Sequence, residues 1–260
     1  MYPSDRRIPR YALRFVTAVL PFLGACAEPQ HHGDWSYEGM TSPGHWGHLS
    51  PDYAVCVTGE AQSPVALPGH FQPFTDLELG YQPTLLHVLN NGHTIQVNTP
   101  GGNTLKIGPD TYELIEYHFH HPAEHTLANQ AFPMELHLVH KSAAGKLAVI
   151  GVLLRQGAAN AAFDPIWQLF PEEPGTEHHR DGQTLDPKTL LPAVRKGLQY
   201  PGSLTTPPCS EGVSWFVLDT PVELSAEQIA RFAALIGDNA RPIQPRGAEP
   251  SSLVPATPSP

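Results

Sequence analysis

Between Leu85 and Leu224 the chain repeatedly places apolar side chains at every second position, in runs short enough to be strands. "LLHVLNNGHTIQVN" (Leu85 to Asn98) reads as strand, Asn-Gly bend, strand. "YELIEYHFH", "MELHLVH", "LAVIGVLLRQG" and "SWFVLDTPVEL" are rich in apolar and β-forming residues at strand length. Turn signals such as Pro100-Gly101-Gly102 and Gly108-Pro109-Asp110 separate them. One segment has the helical period instead. "SAEQIARFAALIG" (Ser225 to Gly237) begins with Ser225, carries Gln228 where a capping box needs it, and ends on Gly237. Its apolar residues Ile229, Phe232, Ala233 and Ile236 share one face. A central sheet with little helix is predicted.

The same period of two organises the polar chemistry. In "EYHFHHPAEH" (Glu116 to His125), His118 and His120 share one face of a strand while Phe119 takes the other. In "MELHLVH", Glu135 and His137 share a face, with Leu136 and Leu138 opposite. If these strands are neighbours, three imidazoles converge, and three nitrogen ligands with an open fourth position describe a catalytic zinc site. The chain has 15 histidines, so a lone His-x-His would mean little. The crowding of His118, His120, His121, His125, His137 and His140 into one region makes the metal reading stronger. His118-x-His120-x-x-x-Glu124 is also the spacing of a cupin iron or manganese motif, in which Glu124 would be a ligand. The glycines that the cupin pattern wants are replaced by Tyr112 and Ala131.

Composition narrows the class. Charged residues are only 15%, and 29 prolines and 22 glycines favour a turn-rich β fold over a helical bundle. The N-terminus resembles an export signal: Arg6, Arg7, Arg10 and Arg14 precede "FVTAVLPFLGA", too short to span a membrane. "LGAC" (Leu23 to Cys26) has the form of a lipoprotein box with Cys26 as the lipidated residue, whereas "ACA" suits ordinary cleavage of a secreted protein. Four arginines against one aspartate give the first 25 residues a net +3, and their removal takes the formal charge from −10 to −13. Such acidity excludes a nucleic-acid partner, which requires clustered Lys and Arg. With Cys26 set aside, Cys56 and Cys209 remain as an even pair in an oxidising compartment, and a disulfide is predicted; two buried thiols are the alternative.

Along most of its length the sequence resembles the α-class carbonic anhydrases, specifically the bacterial exported type. The resemblance rests on "WSYEG", "GEAQSPVAL", "NNGHTIQV", "HFHHPAEHT", "MELHLVH", "GSLTTPPCSEGVSWFVL" and "DNARPIQP", in the family's order. It implies a predominantly β fold, a twisted, mostly antiparallel sheet of about ten strands with short peripheral helices. It also implies reversible hydration of carbon dioxide to bicarbonate and a proton, by attack of zinc-bound hydroxide on CO2 in an apolar pocket.

Residue by residue, the resemblance makes His118, His120 and His137 the Zn2+ ligands. It makes Thr205 the residue that accepts a hydrogen bond from the hydroxide, Glu124 the acceptor of the Thr205 proton, and His93 the proton shuttle. Val139, Val149, Leu204 and Trp215 correspond to the wall that receives CO2. Glu135 and the Asn239 carbonyl correspond to acceptors for His137 and His120. For His118 the family usually has glutamine, and here it is Glu116, whose charge should raise the pKa of the zinc-bound water. Cys56 and Cys209 occupy the family's disulfide positions.

The chain departs from the family at "KGLQ" (Lys196 to Gln199), where a tyrosine-rich stretch is common, and in its short tail. The expected organisation is a signal or lipobox region at 1–26, a linker at 27–34, the enzyme domain at 35–247 and a disordered Pro/Ser-rich tail at 248–260. The expected location is the periplasm, with a lipid anchor through Cys26 and a homodimer as further associations.

Overall fold

The alternating segments fall on neighbouring strands of one sheet. The structure, a computed structural model, describes residues 34–69, 71, 74 and 77–245. The leader with Cys26, the tether up to Gly33 and the tail from Ala248 lie outside the described residues.

In chain order the strands are β1 (Ala66–Leu67), β2 (Leu77–Gly80), β3 (Thr84–Asn90), β4 (Ile95–Asn98), β5 (Thr104–Ile107) and β6 (Asp110–His120). They continue with β7 (Thr126–Leu127), β8 (Met134–Ser142), β9 (Leu147–Gln156), β10 (Glu177–Leu185), β11 (Gly197–Ser203) and β12 (Glu211–Leu224). Ten of them form one sheet in the order β10-β3-β4-β6-β8-β9-β12-β11, with β5 pairing β6 and β2 pairing β5. Only β9 and β12 pair in parallel within it; β1 and β7 make a separate two-stranded parallel pair. The predicted sheet is therefore observed, with one parallel pairing, β9 with β12, next to the edge strand β11.

Strand alternation divides the core into two layers. Val88, Val97, Tyr117, Phe119, Leu136 and Leu138 turn to the layer that the Ala226–Ile236 helix covers through Ile229 and Phe232. That helix has the predicted capping box: the Ser225 side chain accepts from the Gln228 amide, and the Gln228 side chain accepts from the Ser225 amide. On the other face Val65, Leu67, Val139, Val149, Tyr200 and Trp215 form a second cluster. A third, smaller cluster gathers Trp46 and Tyr53 around the Cys56–Cys209 disulfide, which is formed as predicted.

Candidate metal centre

The register of β6 and β8 builds the centre. His118 stands opposite His137, and His120 opposite Glu135. The ring centroids of His118, His120 and His137 lie 4.6 to 5.3 Å apart. Each ring turns one nitrogen toward an acceptor. His118 Nδ1 meets both carboxylate oxygens of Glu116 at 2.9 and 3.0 Å, His120 Nδ1 donates to the Asn239 carbonyl at 2.7 Å, and His137 Nε2 lies 3.1 Å from Glu135 Oε1. The opposite nitrogens face one another: Nε2 of His118 and Nε2 of His120 are 3.1 Å apart, and one donor atom from each of the three residues lies within 4.8 Å of the others.

Facing imidazole nitrogens need a proton or a cation between them. Burial pushes the pKa of His120 well below its ordinary value, and His137 and His118 push the same way. Burial also lowers His137 to about 4, outweighing Glu135. Neutral rings with converging lone pairs suit a metal ion better than a proton. An all-imidazole set fits zinc, and the set of three stops short of closing a tetrahedron.

Glu135 holds the far side together. Its Oε2 accepts from the amides of Glu124 and His125, and its Oε1 meets His125 Nδ1 at 2.8 Å. His125 Nε2 continues to the Tyr200 hydroxyl at 2.7 Å. Burial alone would raise the Glu135 carboxyl, but His125 and His137 outweigh it and hold it well below the usual carboxylate range. Gly151, opposite His137 on β9, leaves room for this carboxylate: a Cβ there would come within 2.9 Å of Glu135 Oε1.

Glu124 lies apart from the ligand set. Its Oε1 accepts from the Arg241 amide at 2.9 Å, and its buried Oε2 stands 3.6 Å from His120 Nε2 and 3.9 Å from His137 Nδ1. Glu124 Oε2 is buried without a hydrogen-bond partner, and the Thr205 side chain nearby favours the charged form of this carboxylate. Burial pushes the Glu124 carboxyl up, against the Arg241 amide and Thr205; a cation at the imidazoles would push it down.

Above the histidines a cavity of about 190 Å³ opens to the surface. Val139, Val149, Leu204 and Trp215 are among its lining residues, together with Thr205, Glu116 and His93. His93 sits in the β3–β4 bend, its ring stacked on Trp35 at 3.8 Å between centroids. Asn239 ties this bend to the metal strand, donating to the carbonyls of His93 and Phe119 while its own carbonyl meets His120. Every residue proposed from the sequence, Cys26 apart, is thus in or beside one cavity or in the disulfide.

A model of the eukaryotic-type carbonic anhydrase family matches residues 41–248. A carbonic anhydrase of Nostoc sp. is 44% identical over 218 residues, covering 82% of this chain and 83% of that protein. One from Pectobacterium atrosepticum is 43% identical over 236 residues, covering 88% and 95%. The chain belongs to the α-class carbonic anhydrases. Among solved structures, the sulfanilamide complex of the Thermovibrio ammonificans α-carbonic anhydrase superposes with a TM-score of 0.78 at 40% identity, over 83% of this chain and 97% of that one. A jelly-roll cupin is thereby ruled out, and with it the role of Glu124 as a ligand in such a fold.

Three parts of this carbonic anhydrase were not singled out in the sequence. His125 and Tyr200 extend the Glu135 network, and Arg241 is buried, donating to Gln62 Oε1 and to the carbonyls of Ser63 and Cys56. His125 lay within the histidine-rich segment, and Arg241 within "DNARPIQP". Their partners are more than 60 residues away except for Glu135, so no local pattern announces them.

Proposed function

We propose that this carbonic anhydrase reversibly hydrates carbon dioxide to bicarbonate and a proton, with Zn2+ held by His118, His120 and His137. The observation that carries this is the convergence of one imidazole nitrogen from each of the three histidines at the foot of a cavity with an apolar wall. Bound there, zinc supplies the Lewis acidity that makes water a nucleophile near neutral pH.

The chain's own residues do the rest. Glu116, Glu135 and the Asn239 carbonyl fix which nitrogen of each ligand histidine is bare. With positive charge beside it, Glu124 is a carboxylate and accepts a hydrogen bond from the single Thr205 hydroxyl proton. The Thr205 oxygen can then only accept, so it selects and orients a nucleophile that still carries a hydrogen. Val139, Val149, Leu204 and Trp215 receive CO2, an apolar molecule that gains nothing from polar walls. His93, neutral at rest, collects the released proton at the cavity mouth.

The domain extends over 35–247, preceded by the leader at 1–26 and the linker at 27–34 and followed by the tail at 248–260. The disulfide supports export, and we assign the protein to the periplasm, tethered through lipidated Cys26 and able to form a homodimer. Labelling with radioactive palmitate, present in the intact protein and lost in Cys26→Ser, tests the tether.

Stopped-flow CO2 hydration before and after chelation, with metal analysis, tests the activity. Hydration should disappear with zinc and return on its addition. Full hydration by metal-free protein would overturn the proposal.

A further inference from the structure

A second group of metal-binding side chains lies at the edge of the sheet, outside the cavity. β10 and β3 pair antiparallel with His179 opposite His87 and Glu177 opposite Leu89. Glu177 and His179, two residues apart on one strand, share a face with the cross-strand partner His87. The ladder breaks immediately after His179, shifting register before Thr184, and such irregularities re-aim side chains.

One donor atom from each of His87, Glu177 and His179 lies within 4.8 Å of the others. The two imidazoles stack with centroids 5.4 Å apart, and His87 Nδ1 stands 3.1 Å from Glu177 Oε1. Asn98 steadies the other carboxylate oxygen from 3.4 Å. Among the described residues no Lys or Arg pairs with Glu177, so its charge is not already neutralised by a fixed cation. Two imidazoles and a carboxylate on adjacent strands are a donor set for borderline divalent transition ions, and copper(II) should bind it most tightly.

We propose that His87, Glu177 and His179 form a second metal site, for one borderline divalent ion such as copper(II) or zinc. His87, Asn98 and Glu116 are successive partners across β3, β4 and β6, so the site shares the sheet face of the catalytic cavity. Two strand spacings, about 10 Å, separate His87 from Glu116. Glu177 and His179 are partly or fully exposed, which leaves the remaining coordination positions to water.

Zinc-loaded protein titrated with copper(II) tests this, followed by electron paramagnetic resonance and by native mass spectrometry to count ions. One copper per chain should bind while zinc is retained, with nitrogen couplings from two imidazoles. His179→Ala and His87→Ala should each weaken copper binding by at least about tenfold, no less than the loss of an outer-shell partner costs. Glu177→Gln should weaken it to a smaller degree. His178→Ala, on the other side of the strand, should leave binding unchanged, and copper-free CO2 hydration should be that of wild type in all four. No copper uptake by the zinc-loaded protein, equal affinity in wild type and His179→Ala, or an equal loss in His178→Ala would each overturn the site.

Discussion

His118 and His137 are direct partners across β6 and β8, while their sequence neighbours Tyr117, Phe119, Leu136 and Leu138 turn into the opposite core layer. The metal centre and the main core are therefore two faces of one register. A slip of one residue would bury the histidines under the Ala226–Ile236 helix and expose the aromatic rings. Core packing thus enforces the spacing of the three histidines.

Removing the metal should cost stability as well as activity, because the converging imidazoles exist only in the folded chain. At free zinc 1,000 times its dissociation constant, binding contributes about 4 kcal/mol. Chelation should lower Tm by roughly 10 °C in a domain of this size. His137→Ala should abolish both the stabilisation by zinc and CO2 hydration, with calorimetry and metal analysis as the readouts.

The strands, the capped helix and the three converging histidines were legible because each follows from a local period: two for His118, His120, Glu135 and His137, and three to four for Ile229, Phe232 and Ile236. The parallel pairing of β9 with β12 was not, since both strands are apolar runs buried among others and such runs do not declare their neighbours. Nor were His125–Tyr200 and Arg241–Gln62, side-chain pairs 75 and 179 residues apart. The roles proposed for Thr205 and His93 rest on family resemblance, for a threonine before prolines and a histidine in a bend have no chemistry of their own.

Glu116 offers a carboxylate to His118 Nδ1 through both oxygens, where a neutral amide would offer one acceptor. The extra negative charge favours positive charge at the centre and so opposes loss of a proton there. Glu116→Gln should shift the pH profile of CO2 hydration toward lower pH by on the order of one unit, the scale of a nearby charge at an effective dielectric of about 20. An unchanged profile would remove the electrostatic argument while leaving the hydrogen bond.

Thr205 separates donation from acceptance by one hydroxyl. Thr205→Val keeps the shape and loses the hydroxyl, and should reduce kcat/KM by about 10²-fold, the scale of one positioned catalytic hydrogen bond. Thr205→Ser should recover most of that loss. Equal activity in the valine and serine variants would show that the hydroxyl takes no part.

The Cys56–Cys209 disulfide joins residues 153 apart, four positions beyond Thr205. Gln62 Nε2 donates to the Cys209 carbonyl and Arg241 to that of Cys56, so both halves of the bridge are anchored beside the cavity. Cys56→Ser should cost about 2–5 kcal/mol in denaturant unfolding. It should also lower kcat, because the Thr205 segment loses its covalent tie. A destabilised variant with wild-type kcat would show that the noncovalent contacts position Thr205 alone.

His93 stacks on Trp35, and burial lowers its pKa from the ordinary value near 6.5. In the proposed shuttle role the neutral ring is the form that accepts a proton. Its contribution is therefore complete above the lowered pKa and is lost as pH falls through it. His93→Ala should reduce kcat in weak buffer by about 10²-fold above that pKa and little below it, with small imidazoles restoring the rate. Trp35→Ala exposes the ring, so the His93 pKa should rise toward 6.5 and the acid limb of kcat should move up with it. An acid limb unmoved by Trp35→Ala, together with failure of imidazole to rescue His93→Ala, would assign proton transfer to another group.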